Sequence, residues 1–170
     1  MDEVVPDTNT LIYLAKSGML PILDRYEVYI TREVFDEAVK SGKKEDKSDA
    51  FLLERHIEEN WNNEKVDKEK LEEELDYFGA RGETSVYMLA DKKDIPALTS
   101  DKVARNKMRK KQVDVIRTDM LLLKQFRNNQ LEKSELREKL NRLNSVNGTT
   151  GQRINFLMKK AEEHARGEEE

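Results

Sequence analysis

Two aspartates stand directly after short apolar runs, Asp7 after EVVP and Asp101 after IPALTS. A carboxylate where a buried strand stops has two ordinary uses. It caps the turn or helix that follows, or it is one ligand of a metal site. Taken singly, each of these acids fits the capping role. Glu83 is harder to set aside. On a helix that starts there, Val86, Leu89 and Ala90 share one side, and at about 100° per residue Glu83 falls about 50° from the centre of that side. An inward carboxylate needs a partner, a proton or a metal. The competing explanation is a first-turn acid favoured by the helix dipole. A fourth acid lies in TREVFDEAVKS, where Val34, Phe35, Ala38 and Val39 form the apolar face. Asp36 and Glu37 both fall about 130° from the centre of that face, on opposite edges, so periodicity does not choose between them.

The elements that position these acids alternate. EVV at 3–5 reads as a strand, and Pro6 cannot donate to a ladder, so pairing ends there or tolerates a gap. Thr8 or Asn9 caps a helix over 10–17 that Gly18 ends. EVYI at 27–30 is a second strand, and Thr31 caps the helix that stops at Ser41-Gly42. Residues 43–60 read as a polar helix with Phe51, Leu52, Leu53 and Ile57 as its stripe. WNNEKVD fits either a loop or a short edge strand. A charged helix over 68–77 and the helix ETSVYMLADKK follow, then the strand-type run before Asp101, a basic helix over 102–111 and the strand VDVI at 113–116. TDMLLLKQF, KSELREKLNRL and GQRINFLMKKAEEHA are three closing helices. Alternation of this kind implies a three-layer α/β/α arrangement with a central parallel sheet and extra C-terminal helices. In such a sheet, ligands bind beyond the carboxyl ends of the strands.

Length and composition bound the function. The chain has 170 residues, enough for one domain with a proper core. It has no cysteine, which excludes thiol catalysis, disulfides and thiolate zinc sites. No apolar run approaches the ~20 residues of a membrane helix, and MDEVVPD lacks the basic start and apolar stretch of a signal peptide. A cytoplasmic protein without a membrane partner is the plain expectation. A net charge of −4 argues against indiscriminate nucleic-acid binding, but KVARNKMRKK at 102–111 holds six basic residues and no acid. Lys102, Arg105 and Arg109 are spaced i, i+3, i+7 and share one face that starts one residue after Asp101. A solvated surface helix is the ordinary fate of such a run; closeness to Asp101 favours phosphate affinity. His56 and His164 lie apart from these elements and read as surface residues, and Trp61 as a packing residue.

These stretches together resemble the PIN-domain nucleases, the group that includes the VapC-like toxin ribonucleases. VVPDTNTLI is similar to the family's first strand and its acid, Asp7; ITREVFDEAVKSG is similar to its second strand and helix. The family's acid falls three residues after the helix valine, a register that selects Glu37 over Asp36. GETSVYMLADKKDIPALTSD carries the remaining two acids, Glu83 and Asp101, 18 residues apart, as the family spaces them. The resemblance covers residues 3–145. It implies residues 1–147 as a PIN-like nuclease domain, 148–165 as its closing helix and 166–170 as an acidic tail. Two departures are Pro6 directly before Asp7 and a glutamate, Glu83, where many members have aspartate.

Four carboxylates gathered at one sheet end repel one another and invite hard divalent cations, Mg²⁺ or Mn²⁺. Such ions bind phosphate, activate water and stabilise a leaving oxygen. The reading is a metal-dependent ribonuclease, with RNA as substrate by resemblance. Asp7 and Asp101 are the principal ligands, Glu83 completes the site, and Glu37 binds a second ion or orients water. Thr8, Asn9 and Thr99 are candidates for supporting or phosphate hydrogen bonds. Asp119, in VIRTD, also follows a strand, though a first-turn helix acid explains it as well. A toxin role is a narrower version of this reading and implies an antitoxin partner. The alternative is a PIN-like module that binds RNA or protein without cutting. Many relatives dimerise, and the leucine-rich helix 120–126 fits either a homodimer surface or the core.

Overall fold

The computed structural model describes residues 2–167, and the last three residues of the acidic tail lie outside the described residues. β1 (Glu3–Pro6) leads into α1 (Thr8–Lys16), and a 3₁₀ turn over Leu20–Arg25 precedes β2 (Glu27–Thr31). Next come α2 (Arg32–Phe35), a π-helical turn over Asp36–Lys40 and α3 (Ser41–Lys44), which run on without a break. α4 (Ser48–Asn60), β3 (Asn62–Glu64), α5 (Lys68–Phe78) and α6 (Arg81–Lys93) follow. The chain then forms β4 (Ala97–Leu98), α7 (Lys102–Lys110), β5 (Val115–Ile116), α8 (Thr118–Arg127), α9 (Lys133–Ser145) and α10 (Gly151–Ala165).

All four strand pairings are parallel, in the order β3-β2-β1-β4-β5. The central strands are apolar on both faces, with Val4, Val5, Ala97 and Leu98 at 1% exposure or less. That is the pattern of a parallel sheet covered by helices on each side. The architecture is the three-layer α/β/α fold expected from the alternation. WNNEKVD resolves as the short edge strand β3.

Pro6 keeps its place in β1 because its missing donor falls on the β2 side. The amides of Val5 and Asp7 point to β4, donating to Pro96 O and Leu98 O at 3.1 and 3.0 Å. Alternate residues face β2, and the register with β2 runs only through Glu3 and Val4. The ladder with β2 therefore stops where proline stands, and the ladder with β4 continues to Pro6.

Several expectations change on the helices. The buried stripe of α4 is Ala50, Leu53 and Ile57, while Phe51 and Leu52 are 47% and 60% exposed. The consecutive run FLL cannot all face one way at 100° per residue, and the i, i+3, i+7 set wins. His56 is not a free surface residue: Nε2 lies 2.8 Å from Asp24 Oδ1, and the ring packs edge-on against Trp61. Trp61 itself belongs to the core. Leu121, Leu122 and Leu123 of α8 are all fully buried, which assigns the leucine-rich helix to the core and removes it as a dimer surface. α8, α9 and α10 pack on one another. Among the described residues no helix is long and apolar enough to cross a membrane.

Candidate active site

The strand order reverses its sense between β1 and β4, which makes this the switch point where an open parallel sheet leaves a crevice. Asp7 and Asp101 follow these two strands. Both are helix N-caps. Asp7 Oδ1 accepts from the Thr10 amide at 2.7 Å, and Asp101 Oδ1 accepts from the Ala104 amide at 2.7 Å. The capping role is real for one oxygen of each, and it aims the carboxylates along the helix starts rather than cancelling their chemistry. Thr99 lies between the two strand ends. Its Oγ1 accepts from the Asp101 amide at 3.1 Å, and its hydroxyl lowers the Asp7 pKa. Thr99 is fully buried.

Asp7 is 8% exposed. Burial raises its pKa, against hydrogen bonds from Thr99 and Thr10 that lower it, and the Asp101 charge raises it further. Glu83 opens α6 and shows the same pattern. Burial raises its pKa first; the Lys107 ammonium lowers it; Asp101 and Asp7 raise it. The three acids therefore feel one another's charge. Glu83 Oε1 is buried and has no hydrogen-bond partner.

Glu37 joins them from the π-helical turn. A π turn inserts a residue and breaks the 3.6 period, which is why a regular helical wheel left Asp36 and Glu37 equivalent. Asp36 pairs with Lys40 on its own helix. Glu37 reaches across to α6, where Oε1 accepts from the Gly82 amide at 2.9 Å, and Oε2 accepts from the Thr8 hydroxyl at 2.8 Å. Ala80 precedes α6 and offers no side-chain cap, so Glu37 supplies the acceptor for that helix start. Gly82 is required for this approach: a Cβ there would stand 2.3 Å from Glu37 Oε2.

The basic helix corrects the expected three-cation face. Arg105 is 8% exposed and donates to the Ser100 carbonyl. Its face is the inner one, with Ala104 and Met108. Burial, then repulsion from Arg117 and Arg109, lowers its pKa. Lys102 and Arg109 remain exposed. Asn9 is exposed beside them.

Asp119 does not join the acids as a free carboxylate. It is fully buried and is held by Arg117, Arg153 and Thr149 at 2.8–3.2 Å. Burial alone would raise its pKa, but hydrogen bonds from Arg153, Arg117 and Thr149 outweigh it, and the net direction is down.

Lys107 and Gly82 are the functional neighbours that sequence reading missed. Lys107 Nζ donates to the Phe78 carbonyl at 2.9 Å and faces Glu83. No helical spacing relates it to Lys102 or Arg109. Gly82 reads as punctuation before α6, yet it is the second residue of that helix, where glycine costs up to about 1 kcal/mol against alanine. That cost was the available signal of a close approach.

Among the described residues no three carboxylates or imidazoles are drawn up as a ready set of metal ligands. Uncompensated acids repel, and Asp7 and Asp101 each have one oxygen taken by a cap. The residues nonetheless fit a hard divalent ion. The donors are all carboxylate oxygens, and Glu83 presents a buried oxygen that lacks a partner.

A five-stranded parallel sheet with Asp7 and Asp101 at its switch point defines an α/β domain of the open, doubly wound kind. A family model described as PIN domain matches residues 3–161, and the chain belongs to that family. Its fold is similar to that of PAE2754 from Pyrobaculum aerophilum, with 16% sequence identity, 72% of this chain and 96% of that chain covered, and a TM-score of 0.56. No curated protein sequence matches the chain. PIN domains are generally nucleases and typically use divalent metals.

Proposed function

We propose that this protein is a Mg²⁺- or Mn²⁺-dependent endoribonuclease. The observation that carries the reading is Asp7 and Asp101 after adjacent strands, close enough to feel each other's charge and that of Glu83, whose buried Oε1 has no partner. When bound by Asp7, Glu83 and Asp101, the cation supplies positive charge for a phosphate and lowers the pKa of a coordinated water. The chain's own residues prepare for it. Thr99 holds the Asp101 backbone and favours the ionised form of Asp7. Lys107 favours the ionised form of Glu83 against its burial. Glu37, braced by Gly82 and Thr8, holds a carboxylate at the rim, where it can orient a water or accept its proton. Lys102 and Arg109 stand exposed on α7 and attract a phosphate backbone.

The test is cleavage of single-stranded RNA by the purified protein with Mg²⁺ or Mn²⁺, compared with Asp101→Asn. Asparagine caps a helix as well as aspartate, so α7 and the fold persist while the ligand charge is lost. Cleavage that disappears in Asp101→Asn supports the proposal. Equal cleavage by a contaminant-free variant overturns it.

A further inference from the structure

A concavity lies beside Asp101. It is a groove of about 230 Å³ that Asp101 itself lines, so it shares a wall with the carboxylates. Its other walls include Asn9 and Tyr13 of α1, Lys102 at the start of α7, Arg117 ahead of α8, and Thr149 and Thr150 ahead of α10.

The charge around it is unbalanced. Asp119 receives Arg117 through Nε and Nη2, both at 3.2 Å, and Arg153 through Nε and Nη2 at 3.1 and 3.0 Å. One buried carboxylate thus answers two guanidiniums. Arg105 and Arg109 stand close enough to repel, and Arg117 repels Arg105 as well. Arg105 also feels the charges of Asp119 and Asp101, and Lys102 adds a further cation on the groove wall. Tying α8 to α10 accounts for the Arg117–Asp119–Arg153 bridge. It does not account for Lys102 or for the open groove that Lys102 and Arg117 line. One carboxylate does not neutralise two guanidiniums, and an anion seated in the groove would take up the remaining charge.

We propose that this groove seats a backbone phosphate of the single-stranded RNA, next to the phosphate that meets the acids. The strand then crosses from Asp7 and Asp101, past Lys102 and Arg117, toward the loop before α10. Asp119 fixes the plane of the Arg117 guanidinium, and the Thr150 region closes the far wall. The path of the strand rests on the nuclease reading; the phosphate seat stands on the groove and its charge alone.

The experiment uses uridine 3′,5′-bisphosphate without divalent metal, so that binding is read apart from cleavage. Amide shifts are followed by NMR, with the dissociation constant from the same titration. The expected result is shifts at Gly148, Thr149 and Thr150, and affinity at least about tenfold weaker in Lys102→Glu. Lys102 is exposed and makes no contact with Asp119, so this variant keeps the fold. Arg117→Gln is the stronger test if its far-ultraviolet spectrum and melting stay native. Shifts elsewhere, or unchanged affinity in Lys102→Glu, overturn the groove. RNA cleavage with no bisphosphate bound at these residues overturns the groove and leaves the nuclease reading. Bisphosphate bound here with no metal-dependent cleavage supports the phosphate seat and overturns the nuclease reading.

Discussion

Gly82→Ala separates positioning from folding at the acid cluster. The added methyl would meet Glu37 Oε2 at 2.3 Å, Cδ at 2.8 Å and Oε1 at 2.9 Å. All three atoms belong to one flexible side chain, so Glu37 swings away and the backbone stays. Two hydrogen bonds go with it, those from Gly82 N–H and the Thr8 hydroxyl. Bonds to a charged group are worth about 1.5–3 kcal/mol when buried. Here the acceptor is exposed, so water replaces them and the net loss is about 1 kcal/mol. Alanine in the first turn of α6 regains up to about 0.5–1 kcal/mol over glycine. The two effects nearly cancel, and the melting temperature should move by less than about 4 °C. Activity has no such compensation. A carboxylate displaced from a metal-dependent site costs about 10- to 100-fold. The assay is thermal melting alongside RNA cleavage in Mn²⁺, with Glu37→Ala and the double variant completing a cycle. Non-additive losses in cleavage with a native melt are expected. Full activity in Gly82→Ala, or losses that multiply independently, would refute the reasoning.

Lys107→Met removes the cation that lowers the Glu83 pKa. The acidic limb of the cleavage profile should then move to higher pH, and an unmoved limb would remove Lys107 from the site. Burial raises the Asp7 and Glu83 pKa values. Their stabilising contribution is complete below the ordinary carboxylate range and is lost as pH rises through the folded values. Asp119, with its pKa lowered, acts in the opposite sense and contributes stability that is lost as pH falls. The metal-free protein should therefore lose stability relative to Glu83→Gln as pH rises, and Mn²⁺ should abolish that difference in urea melts. A difference that grows with pH in the protein's favour would reverse the assignment. Replacing Lys102 and Arg109 with alanine should flatten log K against log salt by roughly 1.4 on single-stranded RNA, two contacts at about 0.7 each. An unchanged slope would make α7 a solvated face.

Three of the four acids stood out in the chain. Asp7 and Asp101 announced themselves by standing at the ends of apolar runs, and Glu83 by leaning toward the apolar side of its helix. Glu37 did not, because the π-helical turn over Asp36–Lys40 breaks the period on which a helical wheel depends. The resemblance to PIN domains chose it, and its reach to Gly82 and Thr8 gives the physical reason. Arg105 looked exposed because charge usually means solvent. It instead turns inward to hold the Ser100 carbonyl, a tertiary contact that no local pattern encodes. The Asp119 network escaped for the same reason. Its partners Thr149 and Arg153 lie 30 and 34 residues away along the chain. The leucines of α8 could have faced a partner or the core, and only the packing of α9 and α10 against them decides.

The most direct test is a crystal of the full chain soaked in Mn²⁺ and measured for anomalous scattering. The account predicts a peak touching free carboxylate oxygens of Asp7 and Asp101, with Glu83 Oε1 turned to it. Saturating Mn²⁺ that leaves these oxygens bare, or that binds only at some other group of acids, would contradict it.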